Sequence, residues 1–165
     1  MRLKLGCGKH IKRGYINLDI LNLKGVDVIF DLNKLPKTKT PFSNDFFDEI
    51  HAYHIIEHFV NIIPLMNELY RISKDKAIIK VIVPFYHSEH AFRDPTHKSY
   101  FSYDSFNHFI KKSSYYYYHG IKTNFEIKEL KIIGIRFFPM FLLRKLSKYI
   151  PNLVTELRFK LKVLK

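Results

Sequence analysis

The sequence predicts an α/β fold built on a mainly parallel sheet that closes with an antiparallel edge. Three observations carry this. Four short apolar runs fill the first third of the chain, each bounded by turn residues. A helix-sized amphipathic segment over 60–73 then leads into the apolar run AIIKVIVP at 77–84. The second half holds two long strand-like segments, 125–138 and 155–165. Strands that alternate with helix-sized segments form parallel sheets, and consecutive strands late in a chain add antiparallel pairs.

Taken in order, the runs 2–5, 15–19, 26–31 and 47–53 read as short buried strands, punctuated by Gly14, Gly25, Pro36 and Asn44-Asp45. Over 60–73, Ile63, Met66, Leu69, Tyr70 and Ile72 recur at the spacing of one helical face. The β-branched run 77–84 reads as a central strand covered on both faces. A polar, histidine-rich stretch (86–99), a short helix over 102–111 and the low-complexity SSYYYYHG (113–120) follow. In that last stretch Tyr115–Tyr118 offer stacking surface for a sugar or base, or serve only as filler. FFPMFLLRKLSKYIP (137–151), read as a helix, puts Leu142, Leu146, Tyr149 and Ile150 on one face and Arg144, Lys145 and Lys148 near the other. Such a segment either packs on the sheet between the last two strands or makes peripheral contact with an anionic membrane. The terminal TELRFKLKVLK alternates, with Leu157, Phe159, Leu161 and Val163 on one side. Neither an internal repeat nor a linker interrupts the chain, so 1–165 reads as a single domain.

With 165 residues, 47% hydrophobic and 16% aromatic, the chain can bury a core, which excludes intrinsic disorder. Its single cysteine, Cys7, forms no internal disulfide, consistent with a reducing compartment. The absence of an apolar run of signal-peptide or membrane-spanning length leads to the expectation of a soluble, cytoplasmic protein. The net charge of +13 favours anionic partners, yet Lys predominates over Arg, and a generally lysine-rich composition explains the charge equally well.

In open parallel sheets, ligands sit beyond the carboxyl ends of the strands. Gly6 and Gly8 follow the first strand, Asp19 ends the second, Asp31 ends the third and His54 follows the fourth. Glycines let a ligand approach backbone N–H groups. A carboxylate at the second strand's end can accept from ribose hydroxyls, and one at the third from an adenine amino group.

These stretches, in order LKLGCG, GYINLDI, VDVIFDLNKLP, FFDEIHAYHIIEH, LMNELYRISK and IIKVIVP, followed by RDPTH and SFNHF, resemble the class I S-adenosylmethionine-dependent methyltransferases, more narrowly the small type 11-like group. The terminal PNLVTELRFKLKVLK is similar to that group's closing strand. The resemblance implies a Rossmann-like seven-stranded sheet with an antiparallel last strand, and S-adenosylmethionine as cofactor. It places Gly6, Cys7 and Gly8 against the methionine part, Asp19 at the ribose, Asp31 and Leu32 beside the adenine, and Tyr53 and His54 beneath the sulfonium. The family's further glycine is replaced by Lys9-His10, and only five residues separate Gly8 from Gly14. Residues 21–25 likewise leave no room for a crossover helix. Reduced helices near the N-terminus and an open cleft are therefore expected.

Methyl transfer to a hydroxyl or amine needs a base. HAYHIIEH supplies His54, Glu57 and His58, although Glu57-His58 at a helix start is an equally good reading. Arg93, Asp94 and His97 are expected to cover the acceptor, with His97 a further catalytic candidate; alternatively Asp94-Pro95 only starts a turn. His87, His90, Asp94 and His97 have metal-ligand chemistry but no zinc spacing, so no metal is expected. The resulting expectation is methyl transfer to a small-molecule or glycan-like acceptor. RNA methylation and a non-catalytic binding protein of the same fold are the alternatives. For RNA, the Asn/Asp-Pro-Pro-aromatic motif of base amino-group methylases is missing after the fourth strand.

Overall fold

The computed structural model describes residues 1–116, 120–135 and 139–165. Its centre is a seven-stranded sheet: β1 (Arg2–Leu5), β2 (Ile16–Asp19), β3 (Val28–Ile29), β4 (Phe47–Tyr53), β5 (Ser73–Pro84), β6 (Phe125–Gly134) and β7 (Val154–Val163). The strand order is β3-β2-β1-β4-β5-β7-β6. The pairs from β3 through β5 are parallel, and β7 runs antiparallel to both of its neighbours. The last strand, β7, is the antiparallel one, as expected, although it lies between β5 and β6 rather than at the edge.

Helix α1 (Ile63–Ile72) starts with Pro64 in its first turn, where no N–H is missed. It buries Leu65, Met66, Leu69 and Ile72, and the Ser73 hydroxyl donates to the Leu69 carbonyl (2.7 Å) at its end. The chain enters β5 directly, four residues earlier than the apolar run suggests, because Phe47 pairs with Ser73. The remaining helices are short: α2 (Glu89–Phe92) and α3 (Met140–Leu146). The helix expected over 102–111 is one 3-10 turn, Ser105–Phe109, which sends Phe106 and Phe109 inward. In α3 the buried residue is Leu143, followed by Ser147, while Tyr149 and Ile150 are exposed, which corrects the expected apolar face. Among the described residues no helix is long and apolar enough to cross a membrane. The membrane-contact segment includes residues 137 and 138, and the tyrosine run includes 117 and 118; these four lie outside the described residues.

One face of the sheet carries the core. Leu3, Leu5, Leu18, Ile50, Ile79, Val81, Leu157, Phe159 and Leu161 join the buried residues of α1, Phe106, Phe109 and Leu143 in one cluster. The register puts Lys4, His51, Lys80 and Lys160 side by side on the opposite face. There β5 alternates, with Ile78, Lys80 and Ile82 only half-buried, so the expectation of cover on both faces does not hold. At the N-terminal end of the strands, buried Glu68 accepts from the Thr40 amide (2.9 Å) and from Arg71 Nε (2.8 Å). This ties the 35–45 connection to α1.

Candidate functional site

The turn after β1 uses its two glycines differently. Gly6 is left-handed (φ +54°), and a Cβ there would stand 2.7 Å from Ile55 Cδ1, so any other residue is strained and must displace Ile55. Gly8 is also left-handed (φ +50°), but a Cβ there would meet nothing within 4 Å. Asp19 holds the turn: the Gly8 amide donates to its Oδ2 (2.7 Å) and the Leu21 amide to its Oδ1 (3.0 Å). Each oxygen keeps a second lone pair. Asp31 Oδ1 accepts from the Asn33 amide and side chain, both at 2.9 Å, and the backbone bond first of all holds its carboxyl below the usual range. Leu32 is buried below it. Gly6, Asp19, Asp31, Leu32, His58 and Phe59 line one cavity of about 180 Å³. A second, of about 260 Å³, adjoins it through Leu32, Asn33 and Phe59. The Cys7 side chain is buried, and burial, then Asp19, pushes its thiol pKa up. Only its backbone can reach a ligand.

At the end of β4 the chain turns through His54, a non-glycine residue at φ +50° whose amide donates to the Ile82 carbonyl (2.9 Å). A left-handed non-glycine residue costs about 1–3 kcal/mol, and here it swings residues 55–58 across the strand ends. Tyr53 points the other way. Its ring stacks on His51 (4.6 Å) with Lys4 Nζ 5.1 Å from its centroid, on the face away from the core. Tyr53 therefore does not line the glycine-lined cavity, where Ile55, His58 and Phe59 stand after β4.

His54 is half-exposed between two carboxylates, its Nε2 3.1 Å from Glu156 Oε2 and its Nδ1 3.4 Å from Glu57 Oε1. Glu57 first, and Glu156 after it, raise its pKa against the opposing effect of burial. Glu57 is 1% exposed, and among the described residues neither of its carboxylate oxygens has a hydrogen-bond partner. Its main-chain carbonyl accepts from the Lys98 (2.8 Å) and Ser99 (3.0 Å) amides, which fastens the 93–99 loop over it. In that loop Asp94 Oδ1 accepts from the Thr96 hydroxyl (2.7 Å), which lies 2.9 Å from His58 Nδ1. His97 Nδ1 donates to the Ala91 carbonyl (2.9 Å), and the His58 and His97 rings meet edge-on with centroids 4.9 Å apart. His54, His90, Arg93, Asp94, His97 and Glu156 line a further cavity of about 170 Å³. The His58–His97 pair thus divides it from the glycine-lined cavity.

The structure therefore brings Gly6, Asp19, Asp31, Leu32 and His58 to one cavity and His54, Arg93, Asp94 and His97 to the other, while Gly8 reaches the first only through its amide bond to Asp19. His87 is drawn away, its Nδ1 bonding the Ser147 carbonyl (2.8 Å). Glu156 escapes sequence reasoning because only the antiparallel placement of β7 brings it opposite Pro84. A cavity of about 600 Å³, with Asp45, Arg71 and Lys165 in its lining, lies at the opposite end of the strands, away from these groups.

Neither a family model nor a curated protein matches the sequence. Solved structures do match. The chain is similar to an S-adenosylmethionine-dependent methyltransferase from Archaeoglobus fulgidus at 17% identity, over 98% of this chain and 85% of that one, with a TM-score of 0.62. It is similar to another such methyltransferase from Methanosarcina mazei at 12% identity, over 99% and 92%, with a TM-score of 0.59. The [4+2]-cyclase SpnF matches at 12% identity, over 99% and 74%, with a TM-score of 0.54. At these identities the likeness is one of fold: the chain has the Rossmann-like fold of class I S-adenosylmethionine-dependent methyltransferases, with few helices.

Proposed function

We propose that this chain transfers a methyl group from S-adenosylmethionine to a small-molecule or glycan-like acceptor. The observation that carries the reading is the convergence of Gly6, Asp19 and Asp31 on one cavity, whose lining residue His58 meets His97 of a second, polar one. The residues fit the cofactor: open space above Gly8 admits a ligand to the backbone, and both acids retain acceptor capacity. The glycine-lined cavity and its neighbour together reach the range of small-molecule sites, about 300–1,000 Å³.

When bound, the cofactor supplies a methyl group already activated on a sulfonium. In this reading the Gly6–Gly8 turn holds the methionine part, Asp19 the ribose, and Asp31 with Leu32 the adenine. Arg93 and Asp94 orient the acceptor in the polar cavity, and the 93–99 loop excludes water. His54, its Nε2–H donating to Glu156, takes the acceptor's proton at Nδ1, with Glu57 and Glu156 stabilising the imidazolium that forms.

Isothermal calorimetry with S-adenosylmethionine tests this. Micromolar binding is expected, weakened tenfold or more by Asp31→Ala, and no heat at millimolar ligand would sink the reading. A labelled-cofactor screen then identifies the acceptor. One observation favours a second reading, RNA as acceptor: Lys4, Lys80, Arg158 and Lys160 share the face of the sheet opposite the core. RNA affinity that falls steeply with salt would support it.

A further inference from the structure

We propose that Glu57, His58 and His97 bind one divalent transition-metal ion, zinc being the best match. One ligand atom from each of the three lies within 4.8 Å of the others. A tetrahedral zinc shell at about 2.0–2.1 Å sets its ligand atoms roughly 3.4 Å apart, a contraction that side-chain rotation supplies.

Two independent features of the surroundings point to a cation. The first is the Glu57 carboxylate, 1% exposed and, among the described residues, with no hydrogen bond to either oxygen. His54 Nδ1, 3.4 Å from Oε1, forms an ion pair with that oxygen when protonated, and no partner faces Oε2 among the described residues. A buried carboxylate left without hydrogen bonds is costly, and metal coordination is one of the two ways buried charges are compensated.

The second is the tautomer of each histidine. The Thr96 hydroxyl has one proton, which goes to the Asp94 carboxylate at 2.7 Å, so at 2.9 Å it accepts from His58 Nδ1–H. The Ala91 carbonyl can only accept, so His97 Nδ1 also carries a hydrogen. With the hydrogen held on Nδ1, the neutral form of each ring carries its lone pair on Nε2. Outer partners that fix the ligating nitrogen in this way, one a carbonyl and the other a carboxylate acting through a hydroxyl, are the usual support of metal-bound histidines.

Two imidazoles and one carboxylate suit zinc and its transition-metal neighbours over magnesium or calcium. Three protein ligands leave a fourth position for water or substrate, and His97 itself borders the cavity of His54 and Arg93. An ion there can hold an acceptor oxygen and favour its deprotonation. That use rests on the methyl-transfer reading; the binding of the ion does not.

The test is therefore zinc uptake. The tag-free chain is stripped with chelator, dialysed, and titrated with zinc alone against a chromophoric indicator. About one zinc per chain is expected, with His87→Gln unchanged. Glu57→Gln and His58→Gln should each weaken binding at least 100-fold. Thr96→Val, which removes the acceptor for His58 Nδ1–H, should weaken it 10–100-fold. His58 lies partly at the surface, so its variant keeps the test decisive if Glu57→Gln fails to fold. The proposal is overturned if the wild-type chain binds zinc no more tightly than a His58→Gln/His97→Gln variant, or if His87→Gln abolishes binding. Failure to bind S-adenosylmethionine would leave this result untouched, so the two readings fail separately.

Discussion

Gly6 and Gly8 share a turn and a left-handed backbone, but they answer to different neighbours. Alanine at either position pays about 1–2 kcal/mol of backbone strain. At Gly6 the new methyl also collides with Ile55, so Gly6→Ala should lower the urea midpoint clearly more than Gly8→Ala. The cofactor affinity should follow the reverse order, because the space beyond Gly8 is the open one. Equal effects on both measurements would contradict the assigned roles. His54 gives a second test at this scale. Because Glu57 and Glu156 favour its charged form, its imidazole should titrate above the ordinary value of about 6.5. Glu156→Gln should bring it down, as read by NMR. If His54 is the base, the methyl-transfer rate rises with pH through that raised value and moves with it in the variant. The strand-end residues Gly8, Asp19 and Asp31 were legible because each follows a recognisable apolar run. The union of Glu57 and His58 with His97 was not, since it depends on a loop tied back across forty residues by the Lys98 and Ser99 amides.

Among the elements, β4 carries an unusual load. His51 is buried on the side of the sheet away from the core, where Lys12 Nζ donates to its Nδ1 (3.0 Å) and Glu49 accepts from its Nε2. Burial holds its pKa down to about 4. The unfolded chain therefore takes up this proton first as pH falls. Its contribution is complete above about pH 6.5 and is lost progressively towards pH 4, amounting to about 3 kcal/mol at most. Urea midpoints measured from pH 7 to pH 4 should fall, and His51→Asn should flatten that dependence. The turn Ser105–Phe109 matters out of proportion to its length, because Phe106 is fully buried with its ring 4.6 Å from that of Phe159. Phe106→Ala should cost about 3–5 kcal/mol in chemical denaturation. Sequence periodicity located β1 and β4 to the residue, where glycine and Asn-Asp turns bound the apolar runs. It overextended β3 and missed the start of β5, because neither boundary is marked by hydrophobicity: the pairing of neighbouring strands decides both.

For the whole molecule the governing fact is a sheet with its core on one side. The accessible surface is 9773 Å² for 19.8 kDa, against about 8,600 Å² for a compact globule of that mass. This asymmetry was hidden in the sequence. AIIKVIVP reads as uniformly apolar, yet Ile78 and Ile82 flank Lys80 on the opposite face, where β-branched side chains and lysine stems lie half-buried together. Charge reversal there, Lys160→Glu for example, should change the thermal midpoint by only a degree or two, since surface substitutions stay within about 0.5 kcal/mol. The same asymmetry has a calorimetric consequence. Heat capacity of unfolding follows the apolar area newly exposed to water, and a chain of this length would ordinarily show about 2.0–2.5 kcal/mol/K. With a single hydrophobic layer to expose, this protein should fall below that range, and its free energy of unfolding should vary unusually gently with temperature.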